Sequence, residues 1–159
     1  MLKKLFLLAV LVTAFVSCKS KKAFNLSEDI TAKEQSLEPD IKATEEAVGR
    51  YGAAQQFDSV AYVSEKMEKK VQTKIDEIEA MKVPDATGAQ EFHDEAVVYF
   101  KFIKKMYTGY KNVGLAKTDE ERQAIAVDLQ KLVDEKNDVM VRMQAAQRKY
   151  ADANGFKIK

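Results

Sequence analysis

The chain has 159 residues, 46% hydrophobic and 32% charged, which fits one globular domain behind an export signal. Lys and Arg number 26 against 25 Asp and Glu. Loss of residues 1–17, with Lys3 and Lys4, leaves 24 against 25, a net charge of −1. That balance argues against nucleic acid as a partner, because nucleic-acid binders carry a concentrated basic excess. Two Pro, six Gly and no Trp, with Ala, Glu, Lys and Leu plentiful, describe helix-forming material. The single Cys cannot close an intramolecular bridge, so its position decides its use.

Residues 1–17 read as a secretory signal. Lys3 and Lys4 form a basic start, and Leu5 to Val16 supply an unbroken run of twelve apolar or small residues. This run is shorter than the roughly 20 residues that a spanning helix needs. It ends in Phe15, Val16, Ser17 and Cys18, and here the sequence resembles the lipobox of bacterial lipoproteins. The resemblance implies a diacylglycerol thioether on Cys18, cleavage before it, and acylation of the new amino terminus. Two or three acyl chains hold a protein to a bilayer stably, so the anchor suffices by itself. Lys19, Lys21 and Lys22 follow at once in an expected tether, residues 18–26. They either meet anionic headgroups or simply keep the tether soluble. Lys19 in place of Asp after the Cys resembles the outer-membrane class of lipoproteins, on the periplasmic or the surface face.

From Ser27 a helical period begins and carries the expected bundle domain, residues 27–159. Ile30, Glu34, Leu37, Ile41, Thr44, Val48 and Tyr51 share one face. The phase survives Pro39, which predicts one helix over residues 28–55, kinked near Pro39; the alternative is two helices parted at Glu38. Gly52 marks either a close approach or an early helix end. Asp58 reads as the cap of a second helix reaching residue 82, with Val60, Val63, Met67, Val71, Ile75, Ile78 and Met81 as its apolar stripe. Pro84 and Gly88 break the pattern.

The third helix is the most apolar. Phe92, Ala96, Tyr99, Ile103, Met106 and Tyr110 fall close to one line, with Tyr107 beside it and Phe100 and Phe102 flanking, and Gly114 closes the pattern. A helix so apolar needs partners on several sides. Thr118 and Glu121 have capping-box spacing. The fourth helix then points Ile125, Leu129, Leu132, Val139, Met140, Met143, Ala146 and Tyr150 inward and ends at Asn154 and Gly155, with Phe156 and Ile158 folding back. The predicted fold class is all-α, an antiparallel four-helix bundle.

No catalytic constellation appears. The only histidine, His93, has Gln90 three residues before it, so it lacks even one Glu-x-x-His motif of a di-iron bundle and reads as a surface or helix-end residue. No elbow serine, phosphate loop or haem motif is present. The expectation is therefore no enzyme activity, no cofactor and no metal. The aromatic residues of the third helix read as core or, alternatively, as the wall of a pocket for a small apolar ligand near Tyr99, Phe102 and Tyr107. Lys136 falls on the inward line and either snorkels out or pairs with a carboxylate. Tyr62, Val97, Val98, Val127 and Val141 point outward, as scattered residues or as a partner-binding patch.

Residues 92–105, with Phe-Lys-Phe-Ile-Lys-Lys from Phe100 to Lys105, resemble the signature helix of an uncharacterised all-helical surface-lipoprotein family of spirochaetes and other Gram-negative bacteria. The resemblance implies an envelope location and a helical fold, and brings no activity. The expected function is a non-enzymatic cell-envelope module, membrane-anchored through lipid on Cys18, that meets another envelope or extracellular component.

Overall fold

The computed structural model describes residues 18–158; the expected signal sequence, residues 1–17, lies outside them. Four helices follow one another: α1 (Cys18–Ala53), α2 (Phe57–Glu79), α3 (Ala89–Leu115) and α4 (Asp119–Asn154). Cross-helix bonds fix their directions. Lys33 pairs with Glu77 and Asp40 with Lys70, Lys101 with Glu79 and Lys104 with Gln72, and Lys149 with Glu91 and Arg142 with Glu95. In each pair one number rises as the other falls, so neighbours run antiparallel. Ser20 Oγ donates to the Asn154 carbonyl (2.9 Å) and closes the ring between α1 and α4. The four-helix bundle expected from periodicity is the fold, and α3 borders all three other helices.

α1 is already helical at Cys18 instead of beginning near residue 28, so residues 18–26 are helix and not a loose tether. Their stretch is rich in lysine and polar residues, which hides the pattern. Ala23, Leu26, Ser27 and Ile30 nevertheless follow i, i+3, i+4, i+7 spacing and are all buried. Phe24 meets Phe156 edge-on at 5.7 Å. Packing, more than propensity, stabilises such a segment. The helix passes through Pro39 without a break, ruling out two helices parted at Glu38; the exposed ring leaves the Gln35 carbonyl without its usual donor. A Cβ on Gly52 would meet nothing within 4 Å, so no neighbour approaches there. The helix ends one residue later. Gln55, at φ 56, and Gln56 donate back to the Gly52 (3.0 Å) and Tyr51 (2.9 Å) carbonyls in a Schellman motif.

Asp58 is not the cap of α2. Gln56 occupies that position without a side-chain bond, and the helix ends at Glu79, not residue 82. The Arg122 guanidinium lies 4.1 Å over the Phe57 ring and fixes this corner from α4. Gly114 does not stop α3. It is buried, and a Cβ there would press on backbone, 2.6 Å from the Phe57 carbonyl oxygen and 2.8 Å from Ala61 Cα. It lets α3 lie directly on α2. The Thr118–Glu121 capping box is fully formed, and Gly155 takes φ 71 and turns Phe156 back onto Tyr150 (5.7 Å).

The core phase of α3 is shifted from the expected line. Phe92, Ala96, Phe100 and Tyr107 are buried, while Tyr99, Ile103, Met106 and Tyr110 are half-buried. Phe100, expected on the flank, is central because α2 covers that side. On α4, Leu129, Leu132, Val139, Met143, Ala146 and Tyr150 point inward as expected, but Ile125 is only half-buried and Met140 is exposed.

Candidate functional site

The half-buried side of α3 faces a groove between α1 and α4. These two helices meet where Gln147 Nε2 donates to Ser27 Oγ (3.2 Å) and Thr31 Oγ1 (3.1 Å). Farther along α1 a groove opens, with a cavity volume of about 240 Å³. Its floor is α3, contributing Tyr99, Phe102, Ile103, Met106, Tyr107 and Tyr110. α1 supplies Glu34, Glu38, Ile41 and Glu45 to one rim, and α4 supplies Lys136 and Met140 to the other. Tyr99, Phe102 and Tyr107, the three residues expected around an apolar pocket, are thus brought together. Lys136 is exposed on the rim rather than turned inward, because α4 has no helix across from it there.

Burial and acidic neighbours shape the tyrosines. Tyr99 Oη donates to Glu34 Oε1 at 2.6 Å, and burial, then this carboxyl, raise its pKa well above the ordinary phenol value. Burial first, and Glu45 second, raise Tyr107 and Tyr110 in the same direction. These phenols therefore stay protonated at neutral pH, Tyr99 as a hydrogen-bond donor and all three as largely apolar walls. The rings interlock edge-on, Tyr99 with Phe100 at 5.6 Å and Tyr107 with Tyr110 at 6.0 Å. Glu38 and Glu45 carry no hydrogen bond or ion pair among the described residues. Their spacing with Glu34 and Ile41 on one helical face was the signal available in the sequence.

A larger depression, about 580 Å³, lies at the Cys18 end between α1 and the loop of residues 80–88. It is lined by Leu26, Met81, Val83 and Pro84 together with Lys22, Asp29 and Lys82; it has no aromatic floor and is more open to solvent than the groove. The groove is the better-formed site.

His93 is a correction. It stands in the first turn of α3 but is buried, and its Nε2 donates to the Ile78 carbonyl at 2.8 Å. Asp94 Oδ1 lies 3.3 Å from Nδ1. That carbonyl, one of the last four of α2, also accepts from Met81 N (2.9 Å), so His93 joins the closing turn of α2 to the start of α3. Its place beside the core line was the available hint. Val97 is likewise half-buried against the core, whereas Tyr62, Val98, Val127 and Val141 are exposed. Among the described residues, no three His, Cys, Asp or Glu side chains gather as metal ligands, and no helix is long and apolar enough to cross a membrane.

Comparison with protein-family models, with curated proteins and with solved structures gives no match.

Proposed function

We propose that this protein is a non-enzymatic cell-envelope lipoprotein, a helical bundle held to the membrane by lipid on Cys18, that binds another envelope or extracellular component. The lipid part draws on the basic start, the apolar run and the Ser17–Cys18 junction. With Lys19 after the Cys, the outer membrane is the proposed location. The observation that carries the binding part is the groove, where α1 and α4 leave an aromatic face of α3 uncovered.

A second reading, a carrier of a small apolar ligand beside Tyr99, Phe102 and Tyr107, draws on the same floor. The groove's 240 Å³ falls below the ~300 Å³ typical of enclosed small-molecule pockets, and it opens along one side, which favours a bound partner or an extended ligand over a carried globular one.

The test is a pull-down from native envelopes with the anchored protein, a Cys18→Ala version and a no-bait control. A component recovered with the anchored form, and lost when Tyr99 and Phe102 are both changed to Ala, supports the binding role. Recovery unaffected by that change removes the groove from it. A small molecule retained in native mass spectrometry, with no component recovered, favours the carrier.

A further inference from the structure

The groove has two kinds of wall. Its floor is aromatic and aliphatic, and its α1 rim is a row of carboxyl groups. From Glu34 to Glu45 this rim extends about 16 Å, and from Glu38 to Glu45 about 10 Å, at the helical rise per residue. Glu34 is occupied by the Tyr99 hydroxyl. Glu38 and Glu45 are exposed and have no ion pair among the described residues, and Lys136, the one basic residue in the lining, has none either.

Where the helices meet one another, interhelical carboxylates are paired. Asp40 has Lys70, Glu77 has Lys33, Glu68 has Lys111 and Glu91 has Lys149. Along the groove three carboxyls face one lysine, and the lysine is on the opposite rim. An anionic ligand would be repelled by this rim. A neutral apolar ligand would use the floor and leave the carboxyls to water. A cation gains from both walls, since carboxylates strengthen its hydrogen bonds and aromatic faces attract it.

We infer that the groove binds an elongated organic cation, a molecule or segment with amino groups joined by methylene chain, whose ammonium groups pair with Glu38 and Glu45 and whose chain lies on Phe102, Ile103 and Met106. The inference rests on the groove's role as a binding site and names the chemistry of its occupant. The spacing of the two free carboxyls matches amines separated by about two helical turns, roughly 10 Å.

The test is calorimetric titration of the full chain in zwitterionic-lipid nanodiscs, with empty discs subtracted. The probes are the linear eight-carbon α,ω-diamine and the α,ω-diol of the same length. The diamine is expected to bind about tenfold or more tightly than the diol, to weaken with added salt, and to lose about tenfold in the Glu38→Gln, Glu45→Gln double variant. These side chains are exposed, so the fold tolerates the exchange. Phe102→Ala, which removes the apolar floor beneath the chain, is expected to weaken the diamine as well. Equal binding of diol and diamine, or an unchanged double variant, overturns the cation and leaves an apolar groove standing. Full affinity in Phe102→Ala places the diamine on surface carboxylates without that floor and overturns the site. Binding of neither probe overturns the cation proposal; the pull-down then decides the groove's role by itself.

Discussion

At the scale of single residues, burial alone does not rank the interior positions; what each atom meets does. Tyr150 is stacked on Phe92 at 5.1 Å, but its hydroxyl is buried with no hydrogen-bond partner among the described residues. Burial pushes its pKa up to about 12. An unpaired buried hydroxyl costs about 1–3 kcal/mol, whereas the ring contributes favourable packing. Tyr150→Phe is therefore expected to leave stability unchanged or raise it by about 1 kcal/mol, and urea unfolding checks this. A loss above about 1 kcal/mol would mean the hydroxyl has a partner in solution. The glycines of α3 make a paired prediction. At Gly114 a methyl group would meet backbone of α2, which cannot yield cheaply, so Gly114→Ala should destabilise by about 1–3 kcal/mol. At Gly109 the obstacle is the Leu129 side chain, which can rotate, and alanine gains up to about 1 kcal/mol of helix propensity. Gly109→Ala should therefore cost clearly less than Gly114→Ala in the same melts. Equal costs would contradict the backbone contact.

At the scale of the helices, the contact between α2 and α3 carries a charge pair whose sign can be worked out. Glu68 accepts from Thr108 Oγ1 (2.6 Å) and pairs with Lys111. Burial alone would raise its pKa, but these two partners outweigh it and hold the carboxyl below its ordinary 4.5. A depressed carboxyl stabilises the fold above its unfolded pKa, and this contribution is lost as pH falls through the lower, folded value. Glu68→Gln should lower stability at pH 7 and flatten its fall below about pH 4.5, seen as a shallower dependence of the urea midpoint on pH. Parallel curves would deny Glu68 this role. Much at this scale was legible in the sequence, because the signals are local. The Thr118–Glu121 box, Gly155 and the stripe of α2 depend on near neighbours in the chain. The start of α1 was not legible, since Ala23 and Leu26 among lysines give a weak stripe and only the end of α4, with Asn154 and Phe156, makes it worth burying. The phase of α3 was misjudged for a related reason. Periodicity centres an apolar arc on itself, but the neighbours decide which part is covered, and α1 leaves Tyr99 and Tyr110 at a groove instead of in the core. The residues of the site could be named from sequence, whereas the gap that makes them a site belongs to the packing of α1 against α4.

At the scale of the whole molecule, the continuous α1 turns the proposed lipid anchor into a statement about orientation. With no loose tether between Cys18 and the bundle, the start of α1, the loop of residues 80–88 and the end of α4 lie together at the anchored end. α1 has 36 residues and is about 54 Å long, so an upright bundle on the proposed anchor would hold Gln56 far from the membrane and Lys82 close to it. The groove begins about 24 Å along α1 from Cys18, so in an upright bundle it would lie beyond the ~8 Å reach of headgroup charge at physiological salt, and its own carboxyls would govern what it attracts. The prediction is made on lipidated protein in vesicles, where acylation leaves no free thiol at Cys18. Fluorophores are placed through Lys82→Cys and, separately, Gln56→Cys, both exposed positions. Lipids with spin-labelled headgroups should quench the label at position 82 strongly and that at position 56 little. Equal quenching would mean the bundle lies flat or pivots at its first turn. A helix break at residues 18–22 tests the stiffness of the joint: two glycines inserted after Lys19 should equalise quenching in an upright bundle, because the joint becomes flexible, and should change nothing in one that already pivots.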